Sequence, residues 1–232
     1  MGLLDNLLNK AANTAKTAVS NGVRNGVNAA VNGAKTANSQ NVQAANAVGA
    51  DLAGSGVTMK TGKTAQGYAS VTVTFDALPT TLAELQSLPL ADLKTPYGTA
   101  ALTAAALNQY EADRAATCEM VNFLRGPRPM SAYEEQFIRD RLAGKMYVIR
   151  SYWAGTSPQN NYTPTLPYSI TFYEDSYSYQ NAGYCRLNCR SSGADSPRQI
   201  TLRKKESTGE WFLWENYLLP DIRVPAEADP WA

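Results

Sequence analysis

Between Tyr168 and Leu219 the chain alternates apolar and polar residues in consecutive short runs. "PYSITFYED" sends Tyr168, Ile170 and Phe172 to one face. "YCRLNCR" sends Cys185, Leu187 and Cys189 one way and Arg186, Asn188 and Arg190 the other. "QITLRKK" places Ile200 and Leu202 together. A period of two is the signature of a half-buried strand. The turns are well marked, "SSGADSP" before the third run and "ESTGE" after it. Parallel neighbours need a crossover of a dozen or more residues, so such connections demand an antiparallel meander. The last run, "EWFLWENYLL", is apolar on both faces and reads as a central or doubly covered strand.

Upstream, "YASVTVTF" is a further strand, with Val71, Val73 and Phe75 opposite Ser70, Thr72 and Thr74. "TTLAEL" opens a short helix, Thr81 and Glu84 standing at capping-box spacing. The stretch from about Gly98 to Leu124 is helical with a break near Tyr110, stopped by Gly126 and Pro127. "SAYEEQFIRDRLAG" is a second helix, with Ser131 and Glu134 as its capping box and Gly144 closing it. "KMYVIRSYW" reads as a strand. One strand, then helices, then four or five strands make an α+β domain with helices packed on a curved antiparallel sheet, cone-like in the manner of NTF2-like domains. That topological analogy carries no function.

The compact domain is placed at 67–232. Residues 36–66 are rich in Ala, Asn and Gly and read as a linker. Residues 1–35 read as an amphipathic helical arm. At helical spacing, Leu4, Leu7, Leu8, Ala11, Ala15, Ala18 and Val19 share one side. Leu3, Leu4, Leu7 and Leu8 are its candidate contacts with a partner or membrane surface. The arm either packs on its own domain or a sister chain, lies on a membrane through residues 3–20, or gains no stable structure alone. Its glycines each cost roughly 1 kcal/mol against alanine. The opening residues carry no basic region followed by an apolar stretch, and no run reaches the roughly 18 apolar residues of a span. A cytoplasmic location, peripheral at the inner membrane surface if the arm binds lipid, is expected.

The chain contains no histidine, and its formal charge is +1. Ser-His and Cys-His nucleophile activation and the commonest metal ligand are thereby excluded. No bulk field steers the molecule to nucleic acid, and no nucleic-acid fold signature is present. Cys185 and Cys189 stand about 13 Å apart at strand rise and cannot bridge. They lack the second pair that zinc needs, so no metal and no cofactor is expected. No phosphate-binding loop or nucleophile elbow occurs.

Two constellations remain as binding candidates. The loop "SYWAGTSPQNNYTPTLPY" carries Tyr152, Trp153, Tyr162 and Tyr168 beside Gln159, Asn160 and Asn161, types that line sugar or peptide grooves. The plainer reading is a loop packed on itself. Arg186, Arg190 and Arg203 occupy strand faces where guanidiniums could converge on phosphate or carboxylate, the plainer reading being a solvated face opposed by Glu206, Glu210 and Asp195. Asp140 in "FIRDRL" reads as a buried acid paired with arginine, and Asp195 as a turn residue bonding backbone amides.

The segments "TPYGTAALTAAALNQY", "NFLRGPRPMSAYEEQFIRDRL", "SYWAGTSPQNNYTPTLPYSI", "SSGADSPRQITLRKKESTGEWFLWE" and "DPWA" resemble a family of uncharacterised bacterial domains common in gut Clostridia. The resemblance spans Thr95 to Ala232 and implies a domain boundary but no activity. The favoured expectation is a non-enzymatic binding module for a peptide, protein or glycan, attached through its arm. An enzyme using Asp140, Glu134 or Glu135 in a cone-like pocket, and a homo-oligomeric structural protein with bundled arms, are the alternatives.

Overall fold

In the strand Ala69–Phe75 (β2) the side chains of Val71, Val73 and Phe75 are wholly buried, while Ser70, Thr72 and Thr74 face outward. The structure, a computed structural model, describes residues 54–231 and, before them, Gln43 alone. The helical arm, with Leu3, Leu4, Leu7 and Leu8, lies outside the described residues. β2 pairs antiparallel with Val57–Lys63 (β1), from Val57 opposite Phe75 to Lys63 opposite Ala69. This corrects the expected linker over 36–66, whose last residues are a strand. β1 buries only Val57 fully, so its own pattern is faint. The ladder to β2 supplies what its hydrophobicity does not.

The helices follow their caps. Leu82–Ser87 (α1) starts at Thr81, whose side chain accepts from the Glu84 N–H. Pro96–Asn108 (α2) starts at Thr95, which accepts from the Gly98 N–H, with Pro96 in the first turn. Every residue of α2 from Pro96 to Leu107 is buried. A helix that is apolar or small all round belongs inside a core. It lies against β2, two of the later strands and the last strand, which makes it the centre of the domain. The break expected near Tyr110 occurs, and Asp113 caps Arg114–Arg125 (α3). Gly126 ends α3 with φ +57, and a Cβ there would run into the Phe212 ring. Ala132–Leu142 (α4) has the full capping box, Ser131 and Glu134 each bonding the other's backbone N–H.

"KMYVIRSYW" is not a strand. Tyr147–Arg150 makes a single helical turn (α5), continued by turn bonds such as Trp153 N–H to Arg150 O at 3.0 Å. Val148 and Ile149 are both buried, as are Tyr152 and Trp153. Adjacent buried pairs do not fit a period of two, and a run this short leaves helix and strand ambiguous.

Tyr168–Tyr173 (β3), Tyr184–Cys189 (β4), Arg198–Lys205 (β5) and Glu210–Asn216 (β6) complete a six-stranded antiparallel sheet in the order β1-β2-β3-β4-β5-β6. The fold is α+β. Its inner face carries Ile170, Phe172, Leu187, Ile200 and Leu202, with Cys185 and Cys189 buried as free thiols beside Leu187. β6 is an edge strand among the described residues, not a central one. It is nonetheless covered twice, because Trp211 and Leu213 face the core while Phe212 and Trp214 lie under Arg125, Pro127 and Arg128. Its free edge is engaged at Trp211, whose N–H donates to Leu93 O and whose carbonyl accepts from Thr99. The outer face is polar, with Thr72–Thr171 and Thr74–Ser169 hydroxyl pairs at 2.8 Å. Among the described residues no helix is long and apolar enough to cross a membrane.

Candidate functional site

The aromatic loop is packed into its own domain, against β2 and the segment that follows β6. Tyr152, Trp153 and Tyr162 are buried. The Tyr152 hydroxyl donates to Leu218 O and the Tyr162 hydroxyl to Arg223 O. Trp153 stands edge-on between Phe75 and Tyr168. The Asn160 side chain accepts from the Ser157 N–H and donates to the carbonyls of Gly155 and Thr163. These four residues shape the loop from within. Tyr152 and Trp153 do reach a hollow of about 710 Å³ over β2 and β3, walled chiefly by hydroxyls such as Ser70, Thr72 and Thr171.

The three arginines do not converge. Arg190 points into that hydroxyl-walled hollow. Arg186 is paired with Asp175 at 3.2 Å and lies over the Tyr177 ring at 5.6 Å. Arg203 lies over Trp214 at 4.7 Å and Tyr184 at 5.4 Å. Arg186 and Arg203 stand on the neighbouring strands β4 and β5 and are drawn to a different acid and ring, while Arg190 lies just past the end of β4. Asn188, expected to be solvated, is buried because it donates to Asp175 at 3.0 Å.

The candidate acids are differently placed as well. Asp140 is exposed and accepts from Gln136 at 2.6 Å, so the expected buried pair with arginine does not form. Glu134 binds Arg125 at 2.7 Å and the Ser131 backbone. Burial pushes its carboxyl up, but the Ser131 hydrogen bonds and the Arg125 and Arg128 charges outweigh it and leave it below the usual range. Asp195 pairs with Arg223 of the segment after β6 and not with backbone amides. The buried acid is Glu174, 1% exposed, which the sequence reading did not single out. Tyr97 and Tyr179 both donate to its Oε1, while Oε2 has no hydrogen-bond partner. Burial drives its carboxyl above the usual range, against the pull of the two tyrosines. It lines none of the three hollows described here. Among the described residues no cluster of acids and thiols could hold a metal.

An aromatic and amide constellation does exist, on the outer face of β4–β6. A hollow of about 490 Å³ is lined there by Tyr177, Tyr184, Trp214 and Tyr217 together with Gln180, Asn181 and Gln199. Tyr177 is 57% exposed and Tyr217 50% exposed, although each is a large ring. Tyr184 meets Trp214 edge-on at 5.6 Å. Arg186 and Glu215 add one charge of each sign to the lining. The bulge between Thr201 and Leu202 leaves Trp214 outside the pairing register, between Leu213 opposite Leu202 and Glu215 opposite Thr201. A bulge re-aims side chains in this way. The residues come from the β3–β4 connection, β4, β5 and the end of β6, and their separation in sequence conceals them. The one local signal was "SYSYQNAGY", where rings and amides alternate before a glycine.

No curated protein and no solved structure matches the chain. A family model described as a domain of unknown function matches residues 77–226, from the start of the helices to beyond β6. It begins ahead of Thr95, where the resemblance was drawn, and leaves the β1–β2 hairpin outside. The match takes in more than half of the 232 residues, and the chain belongs to the DUF6935 family of domains of unknown function.

Proposed function

We propose that the domain is a non-catalytic binding module that holds a carbohydrate on the outer face of β4–β6. The observation that carries this reading is the pair of half-exposed tyrosines, Tyr177 and Tyr217, in one concavity with three amides. A sugar ring has an apolar C–H face and a rim of hydroxyls. Tyrosine rings offer flat apolar area at low conformational-entropy cost. Amides both donate and accept, and so match a hydroxyl rim whichever way it points. Exposed rings grouped in a hollow are better explained by a ligand than scattered ones.

What supports the non-catalytic part is the state of the acids. Glu134 is committed to Arg125 and Ser131, Asp140 lies on an exposed helix flank, and Glu174 is sealed beneath Tyr97 and Tyr179. The N-terminal arm serves attachment in this proposal, to a partner protein or a membrane surface, on the strength of its amphipathic sequence.

The test is titration of the full chain with a panel of neutral and acidic oligosaccharides, read by tryptophan fluorescence, since Trp214 lines the hollow. Saturable binding is expected, weakened about fivefold or more by Tyr177→Ala or Tyr217→Ala, the loss of one stacking ring being worth of order 1 kcal/mol or more. If no sugar binds while a tyrosine-dependent peptide does, the carbohydrate reading is wrong and the face is a peptide site.

A further inference from the structure

We infer that the carbohydrate held by this face is an acidic one, bearing a carboxylate, sulfate or phosphate group that Arg203 and Arg128 receive. The inference rests on the carbohydrate reading above and names the class of ligand. Trp214 belongs to two hollows at once. One is the tyrosine and amide hollow. The other, about 420 Å³, is lined by Arg128, Arg203, Lys204, Lys205 and Phe212.

Arg128 and Arg203 both lie over the Trp214 ring, at 4.6 and 4.7 Å from its centroid. Both arginines also line the second hollow, so an anion there faces two positive charges. Arg128 is half-exposed and reaches Glu134 only at 3.6 Å, while that carboxylate is held more closely by Arg125 at 2.7 Å. The Arg203 side chain makes no hydrogen bond or ion pair with any described residue. Its five N–H donors are therefore unspent, and its plane is fixed by Trp214 and Tyr184. A rigid guanidinium fork presents the bidentate geometry that carboxylate, sulfate and phosphate accept. Lys204 and Lys205 add positive charge, against which the hollow sets Glu206 alone.

The charge is local, because the whole chain carries a formal +1. That argues against a long polyanion and for a ligand with a single acidic group near a neutral ring. Tyr184 ties the two hollows together. It stands edge-on to Trp214 in the first and lies under Arg203 at the border of the second. A ligand stacked at Tyr177 and Tyr217 that extends past Trp214 meets the guanidiniums next.

The experiment titrates the full chain with matched pairs of probes. These are a neutral tetrasaccharide capped by one uronic acid and its methyl ester, a monosulfated galactan tetrasaccharide and its unsulfated form, and a monophosphorylated mannan fragment and its dephosphorylated form. At least one acidic member is expected to bind about tenfold or more tightly than its neutral partner, and its affinity should fall with added salt. Arg203→Gln and Arg128→Gln should each erase most of that preference, the acidic member losing far more affinity than the neutral one. Tyr177→Ala should weaken both members of a pair alike. Equal affinity within every pair overturns the inference and leaves the carbohydrate reading standing. A preference untouched by both arginine variants, shown to be folded by their melting curves, also overturns it. If no probe of either kind binds, the carbohydrate reading falls and this inference with it.

Discussion

Removing the hydroxyl of Tyr97 should destabilise the domain by an amount that grows with pH. Tyr97 is a buried residue of α2 whose hydroxyl donates to Glu174 Oε1, the atom that also accepts from Tyr179 at 2.6 Å. Burial holds the folded-state pKa of Glu174 above its ordinary value of 4.5. The folded chain therefore keeps this proton to higher pH than the unfolded chain does. Stability from this group is fully present below 4.5 and falls as pH rises through the folded value. Tyr97→Phe deletes one of the two hydrogen bonds that favour the ionised form, so the folded pKa rises further and the decline steepens. At acidic pH the variant loses a hydrogen bond between neutral groups, about 1 kcal/mol. Above the folded pKa it loses one to a charged acceptor, about 1.5–3 kcal/mol. For a domain of this size each kcal/mol moves Tm by about 2–4 °C. Melting of wild type and variant at about pH 4 and about pH 8 should show Tm losses of roughly 2–4 °C and roughly 3–12 °C. A loss that is equal at the two pH values, or larger at the acidic one, refutes the reasoning. In that case Glu174 is not the group that titrates.

Other consequences are direct. Gly126→Ala combines a positive φ with a Cβ driven into the Phe212 ring; a loss of about 2–4 kcal/mol is expected in urea unfolding, and a neutral result would show that the α3–β6 contact is loose. Cys185 and Cys189 are fully buried and their thiols pushed up by that burial, while Cys118 is half-buried. A thiol reagent should thus label at most Cys118 in the native chain and all three cysteines after denaturation. Serine at Leu3, Leu4, Leu7 and Leu8 should abolish flotation of the full chain with anionic vesicles if the arm binds lipid; a wild-type chain that stays unbound assigns the arm to protein packing, and light scattering then reports whether a sister chain is involved.

The helix caps at Thr81 and Ser131, the break near Tyr110, the stop at Gly126 and the strands β2 to β5 were readable because each depends on neighbours within a few residues. A capping hydroxyl meets an N–H three positions on, and an alternating run selects its own buried face. The family resemblance was equally legible, as a long collinear pattern. The same locality explains the misreadings. β1 has little apolar content, and pairing with β2 decided its state. In "KMYVIRSYW" the apolar content was seen but its period was too short to choose helix over strand. β6 was apolar on both faces because α2 covers one and the Arg125–Arg128 segment the other, a fact that no window of its own residues contains.

The candidate site divides in the same way. Composition alone removed histidine chemistry and left carboxylate or lysine mechanisms and aromatic, amide and arginine recognition as the available means. It could not say which rings would be spent on the core. Tyr152, Trp153 and Tyr162 sat in a loop of inviting composition, yet they are inside, and Tyr177 and Tyr217 are outside. Burial is a property of the whole packing, so the same residue type serves as core or as surface according to what lies above it. Arg186 and Arg203 were correctly placed on strands, while Arg190 falls just beyond β4, and the partners of the first two come from elsewhere in the chain, Asp175 for one and Trp214 for the other. Local chemistry determined the elements and the kinds of contact they could make. Only the tertiary structure decided which side chains meet, because antiparallel pairing and one bulge bring residues from the β3–β4 connection, β4, β5 and β6 onto one face.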